Sequence, residues 1–131
     1  MIGIDTNVLI RYTVRDDEDA YSLASAVMRD LTPEDPGFIT QVVIAEFHWV
    51  LRSRYGFDRK SCLSVIRGLV QSDALEFDDG EGVVRALTLA EAGADFADGL
   101  IQGANELFGI AETVTLDRRA AQRLGWRLLE N

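Results

Sequence analysis

Met1-Ile2-Gly3-Ile4-Asp5-Thr6-Asn7-Val8-Leu9-Ile10 opens the chain with a short apolar segment, a carboxylate, and then apolar residues at helical spacing. Ile2 to Ile4 reads as a strand and about Thr6 to Val14 as a helix, which puts Asp5 at the strand-to-helix junction. Two roles suit an acid there. Asp is a favoured N-cap for the helix that follows. In parallel α/β sheets, ligands also bind outside the carboxyl ends of the strands. The two roles do not exclude each other.

The same alternation continues outward. Helices are predicted over about Asp17 to Leu31, Gln41 to Tyr55, Asp58 to Gln71, Gly82 to Ala92, Phe96 to Leu107 and Arg118 to Leu124. Short strands are predicted near Phe38-Ile39, Ala74 to Phe77, Ala111 to Val114 and Trp126 to Leu129. The only prolines, Pro33 and Pro36, bracket a turn between the second helix and the second strand. Strands this short alternating with helices predict an α/β domain with a parallel sheet covered on both faces. The 131 residues suit one domain, 1–131, without repeat or linker.

Composition narrows the function. With 22 acidic residues against 13 basic and a formal charge of −9, the chain lacks the basic footprint of an avid, nonspecific nucleic-acid binder. Apolar stretches are short: Val42 to Leu51 is broken by Glu46 and His48, well under the roughly 20 residues of a membrane helix. The start lacks a basic n-region and meets Asp5 at once, so no secretory signal is expected, and the cytoplasm is the expected location. A single cysteine, Cys62, excludes an internal disulfide and a cysteine-based zinc site. The acids are either solvated surface or concentrated where a cation offsets them.

Four acids favour the second reading. Asp117 follows the strand ending Val114-Thr115-Leu116 and precedes a helix, as Asp5 does. Asp95 reads as an N-cap, with Asp98 three positions on. Asp98 shares a helical face with Ile101 and Gln102 and is expected to border the sheet, although helix-dipole stabilisation alone would explain an acid there. Glu46 stands out because its helical neighbours Val42, Val43, Trp49 and Val50 are all apolar, which predicts a carboxylate within a buried stripe. An ionised carboxylate there needs a partner. An arginine from elsewhere, protonation or a metal would each serve, and the reading favours metal. Carboxylates meeting at one rim raise each other's pKa unless cations join them. An all-oxygen donor set suits Mg²⁺ or Mn²⁺ rather than zinc. The only histidine, His48, lies about 200° around the helix from Glu46.

With these residues placed, the chain resembles the PIN-domain family, and within it the small VapC-type ribonuclease toxins of toxin–antitoxin pairs. The resemblance rests on Ile4-Asp5-Thr6-Asn7-Val8-Leu9-Ile10, on Glu46, on Ala94-Asp95-Phe96-Ala97-Asp98-Gly99-Leu100-Ile101, and on Val114-Thr115-Leu116-Asp117. It implies a three-layer α/β/α sandwich with a five-stranded parallel sheet. It further implies an acidic pocket of Asp5, Glu46, Asp98 and Asp117 as catalytic and metal-binding residues for Mg²⁺ or Mn²⁺. Thr6, Asn7 and Thr115 would support the pocket by hydrogen bonds, and Asp95 would assist it or serve only as a cap. Gly99 departs from the alanine of many relatives.

The activity implied is phosphodiester hydrolysis in RNA by metal-activated water. The implied partners are a small antitoxin and a second copy in a homodimer. Arg11 and Arg118 are candidates for substrate phosphates, with Arg15, Arg52, Arg54 and Arg119 as further ones. Tyr21, Val27, Phe47 and Trp49 could furnish a partner groove or homodimer seam or simply fill the core, and Trp49 and Trp126 are expected in the core rather than as base-stacking platforms. Two rivals stand beside this reading. One is a catalytically silent or regulatory interaction module of the same fold. The other is a receiver-type phosphoacceptor, which needs a lysine at a late strand end where this chain has only Lys60, in a predicted helix. A dinucleotide-binding domain is a weaker rival still, because no Gly-x-Gly-x-x-Gly follows the first strand.

Overall fold

The computed structural model describes all residues from Met1 to Asn131, in two compact units, Met1–Gly80 and Glu81–Asn131. The first unit contains β1 (Ile2–Gly3), α1 (Thr6–Thr13), α2 (Glu18–Asp30), β2 (Gly37–Ile39), α3 (Gln41–Ser53), α4 (Arg59–Gln71) and β3 (Leu75–Phe77). Its three strands pair in parallel in the order β1-β2-β3, with Ile2 opposite Gly37 and Phe38 opposite Glu76. The ladder extends past the strand ends, since Ile4 N donates to Phe38 O at 2.9 Å and Gly37 N to Ala74 O at 2.9 Å. Ile4, Leu9, Ile10, Ile39, Ile44, Phe47, Leu51, Cys62, Ile66 and Leu75 are buried. Their spacing gives each helix of this unit one inward stripe.

Side-chain caps set most helix starts. Asp17 accepts from Ala20 N, Thr40 from Val43 N and Asp58 from Ser61 N, satisfying donors that a helix leaves orphaned. The start of α3 is also tied to the end of β3, because Gln41 N donates to Asp78 Oδ1 at 3.0 Å.

The second unit contains α5 (Gly80–Glu91, which begins on the last residue of the first unit), α6 (Phe96–Leu107), β4 (Val114–Thr115), α7 (Arg118–Leu124) and β5 (Arg127–Leu128). β4 and β5 pair in parallel, Val114 opposite Arg127. Helices α5 and α6 meet through small residues: a Cβ added at Gly99 would lie 3.0 Å from Ala86 Cα, and one at Gly103 would lie 3.3 Å from Gly82 Cα. The glycine at 99 therefore has a packing role, since its missing methyl lets two backbones approach. Helix α7 ends on Gly125 in the left-handed conformation, φ 72°, the usual glycine C-terminus.

Two expectations change. The five strands are parallel, but they form a three-stranded and a two-stranded sheet rather than one five-stranded sheet. Alternation of short apolar segments with helices dictates parallel connections, but not which strands share a ladder. β1 and β4 are only two residues each, and their hydrogen bonds are made with β2 and β5. The fourth strand also begins later than Ala111. Ile110 N donates to Asn105 O at 2.8 Å and Asn105 Nδ2 to Thr113 Oγ1 at 2.7 Å, which holds the approach to β4 against the end of α6. No helix is long and apolar enough to cross a membrane.

Candidate active site

Asp5 occupies the N-cap position of α1, yet its carboxylate makes no cap hydrogen bond; only its backbone oxygen is engaged, by Val8 N at 3.1 Å and Leu9 N at 3.4 Å. The capping role open to Asp5 in the sequence is thus not taken up, and its side chain is exposed and free to meet a ligand. Asp5, Thr6, Asn7 and Arg11 line a cleft of about 240 Å³ together with Glu46, Trp49, Arg54 and Tyr55. Thr6 is 6% exposed, and its hydroxyl is buried without a hydrogen-bond partner. A buried hydroxyl left unpaired costs on the order of 1–3 kcal/mol, so its place in this cleft is notable.

Glu46 lies in the cleft but not in a buried stripe. It is exposed, as are Val42 at 79% and Trp49 at 60%, while Ile44, Phe47 and Leu51 face inward. α3 carries apolar residues on more than one face, and the stripe that includes Phe47 is the one buried. Exposed to solvent, Glu46 therefore needs no partner on grounds of burial. What remains is an unpaired carboxylate at a cleft. Phe47 is core, and Trp49, expected in the core, is at the surface. Trp126 is half-buried, its Nε1 donating to Gln102 Oε1 at 2.6 Å.

The second unit carries the other acids. Asp95 caps α6 through Asp98 N at 3.1 Å, and Asp117 Oδ1 caps α7 through Arg119 N at 2.8 Å and Ala120 N at 3.2 Å. Thr115 Oγ1 accepts from Asp117 N at 3.0 Å, fixing the turn that presents Asp117. The half-buried Asp98 carboxyl is pushed above the usual range, first by burial and then by the charges of Asp95 and Asp117. These three acids thus form one electrostatic group, with two of them also serving as caps.

The candidate phosphate contacts differ in availability. Arg11 lines the cleft but pairs with Asp16 at 3.2 Å, and Arg118 pairs with Glu130 at 3.6 Å. Arg15 is committed to Glu18 at 2.9 Å and lies over the Tyr21 ring, and Arg52 reaches Phe57 O at 3.3 Å. Arg54 lines the cleft with no ion pair. Sequence reasoning missed Tyr55 as a cleft residue and favoured the core for Trp49, which lines the cleft instead. Trp49 lies three positions after Glu46, so the spacing that places one on this face places the other there too.

The family model for the PIN domain matches residues 2–123. The chain belongs to the PIN-domain family. No curated protein sequence matches it. PIN domains are generally metal-dependent nucleases, so a PIN domain with this chemistry is read as a hydrolase acting on nucleic acid. The receiver alternative falls with this membership, and Lys60 lies exposed in α4. No three Asp, Glu, His or Cys side chains in either unit stand close enough together to hold a metal ion. The donors themselves fit a hard dication: they are carboxylate oxygens, with Asp5 uncapped, Glu46 unpaired and Asp98 disfavoured as an anion by its neighbours. Such ions accept few protein ligands and complete their shell with water.

Proposed function

We propose that this PIN domain is a Mg²⁺- or Mn²⁺-dependent endoribonuclease, active in the cytoplasm as the toxin of a type II toxin–antitoxin pair. The observation that carries the reading is the Asp5 carboxylate, which stands at a helix start without capping it and shares a cleft with the unpaired Glu46. Asp5, Asp98 and Asp117 would hold the metal directly or through water, and Glu46 would ligate it or orient the attacking water. Bound metal supplies charge neutralisation at the phosphodiester and lowers the pKa of water. Thr6 and Asn7 line the cleft beside Asp5 without the hydrogen bonds to it that the resemblance implies, while Thr115 supports Asp117 and Asp95 sets the start of the helix that bears Asp98. Arg11 and Arg118 would release their acidic partners to contact phosphates.

Two surfaces support protein partners. A cavity of about 510 Å³ in the first unit is lined by Tyr12, Tyr21, Met28, Leu31, Val65 and Leu69 among others, and would accept apolar side chains of a small antitoxin. Leu107, Phe108 and Ile110 are 65%, 77% and 52% exposed, an apolar edge suited to a homodimer contact.

The test is cleavage of RNA and DNA single strands by purified protein with Mg²⁺, with Mn²⁺ and with EDTA, beside Asp5→Asn and Glu46→Gln. Metal-dependent RNA cleavage lost in Asp5→Asn is expected. Cleavage that persists in EDTA, or equal activity of wild type and Asp5→Asn, overturns the reading. A silent interaction module of the same fold is the second reading, and it predicts metal-independent partner binding without cleavage.

A further inference from the structure

The cleft that holds Asp5 and Glu46 also carries groups that metal-assisted hydrolysis does not use. Trp49 is 60% exposed on α3, one helical turn beyond Glu46, and Arg54 and Tyr55 line the same cleft where α3 ends. Their backbones are fixed: Arg54 N and Tyr55 N both donate to Val50 O, at 2.9 and 3.3 Å, and Ser53 Oγ donates to Trp49 O at 2.6 Å. A rigid backbone thus presents an indole, a phenol and an unpaired guanidinium beside two carboxylates. The Thr6 side chain lines the same cleft, and its hydroxyl has no hydrogen-bond partner within the protein.

We propose that Trp49 is the stacking platform for the nucleobase next to the scissile phosphodiester, and that Arg54 grips an adjacent phosphate. The chemistry of the lining favours a nucleic-acid strand over an apolar protein segment. Asp5, Thr6, Asn7, Arg11, Glu46 and Arg54 are polar or charged, and beside the aliphatic Ile10 and Val50 the cleft carries two aromatic rings, of which Trp49 is 60% exposed, the kind of surface on which a base stacks. A guanidinium in the same cleft offers a phosphate a partner that an apolar protein segment would leave unused. Stacking requires a base free of its complement, so the strand is unpaired where it meets Trp49. The inference also accounts for substrate binding by a chain of charge −9: affinity comes from one stacked base and one cation rather than from a basic surface.

The inference rests on the nuclease reading for why nucleic acid enters the cleft, and its test is a binding measurement that does not depend on cleavage. The chain has two tryptophans, so Trp126→Phe leaves Trp49 as the only indole. In that variant, combined with Asp5→Asn to prevent turnover, indole emission is followed while a short single-stranded oligoribonucleotide is added with Mg²⁺ present. Saturable quenching is expected, absent with an abasic strand of equal length and lost when a complement pairs the bases. In labelled-strand polarisation with the Asp5→Asn chain, Trp49→Ala should weaken binding on the order of tenfold or more, Trp49→Phe less, and Arg54→Ala comparably. Should Trp126→Phe disturb the fold, the difference in emission between Asp5→Asn and Asp5→Asn/Trp49→Phe gives the same readout.

Quenching equal with abasic and intact strands overturns the proposal, as does binding that leaves Trp49 emission unchanged, or no binding at all. Emission that follows protein concentration instead of oligonucleotide would assign Trp49 to a contact with a second copy and also overturn it. Base-dependent quenching in a protein whose wild type never cleaves would uphold the platform and reject the nuclease. Cleavage with no change at Trp49 would do the reverse.

Discussion

The backbone N–H of Asp98 donates to Asp95 Oδ2 at 3.1 Å, so the residue that starts α6 also sets a negative charge against the Asp98 carboxyl. With burial and Asp117, that charge holds the Asp98 carboxyl above its usual range. Asp98 is therefore a poor anion in the metal-free protein and gains most from a cation.

The sign of the pH effect follows. The folded chain holds the Asp98 proton more tightly than the unfolded chain does, so the contribution to stability is fully present below the unfolded carboxyl pKa and lost as pH rises through the raised folded value. Asp98→Asn removes this loss. The metal-free variant should melt higher than wild type at neutral pH, with the difference shrinking as pH falls through the raised folded value and gone below the unfolded carboxyl pKa of about 4. Mn²⁺ should raise the melting temperature of wild type more than that of the variant. A variant that melts lower at neutral pH would contradict the like-charge group.

Asp5 and Asp117 sit at equivalent helix starts but should separate on mutation. Asp117→Ala removes an oxygen that accepts from two backbone N–H groups and should cost about 0.5–2 kcal/mol of stability. Asp5→Ala breaks no cap bond and should change stability by no more than about 0.5 kcal/mol. Its cleavage should fall beyond the ~10–100-fold that loss of an outer-shell partner costs. Chemical denaturation and cleavage assays of both variants check this, and equal destabilisation by the two would be the contrary result.

Gly99→Ala tests the seam between α5 and α6. Alanine is favoured over glycine within a helix by about 1 kcal/mol, but its methyl would meet Ala86 Cα at 3.0 Å and Ala86 O at 3.1 Å. Backbone atoms of a neighbouring helix yield little, and overpacking costs about 1–3 kcal/mol. Net destabilisation in urea is expected, and an unchanged or higher midpoint would mean that the helices separate freely.

Cys62 is fully buried, and burial pushes its thiol up to about 11. It should react with a thiol reagent at neutral pH only through unfolding, at a rate that rises with denaturant. Because the folded value is raised from 9.0 to about 11, this thiol's contribution to stability persists below pH 9.0 and is lost as pH rises through that window. Fast labelling of the native protein would refute the buried assignment.

Much of this was legible in the sequence. Caps and periodicity put α6 at Phe96–Leu107 and α7 at Arg118–Leu124, as the structure has them, because Asp95, Asp117 and the apolar spacing act within a turn or two of the chain. The family followed from four short motifs at strand ends and on helices. Other features were decided elsewhere. Whether Val42 and Trp49 or Ile44 and Phe47 face inward depends on which side of α3 meets other elements, and a helix apolar on several faces does not encode that. The division of five parallel strands into two ladders depends on backbone pairing between segments far apart in the chain. Whether an acid at a helix start caps it is likewise conformational: Asp117 turns its oxygen onto the helix and Asp5 does not. The sequence by itself determined the order of elements, the acids and their family, because local propensity and motif spacing are written along the chain. Only the tertiary structure decided which side chains are exposed and unpaired, because exposure and pairing depend on neighbours that the chain brings back from a distance.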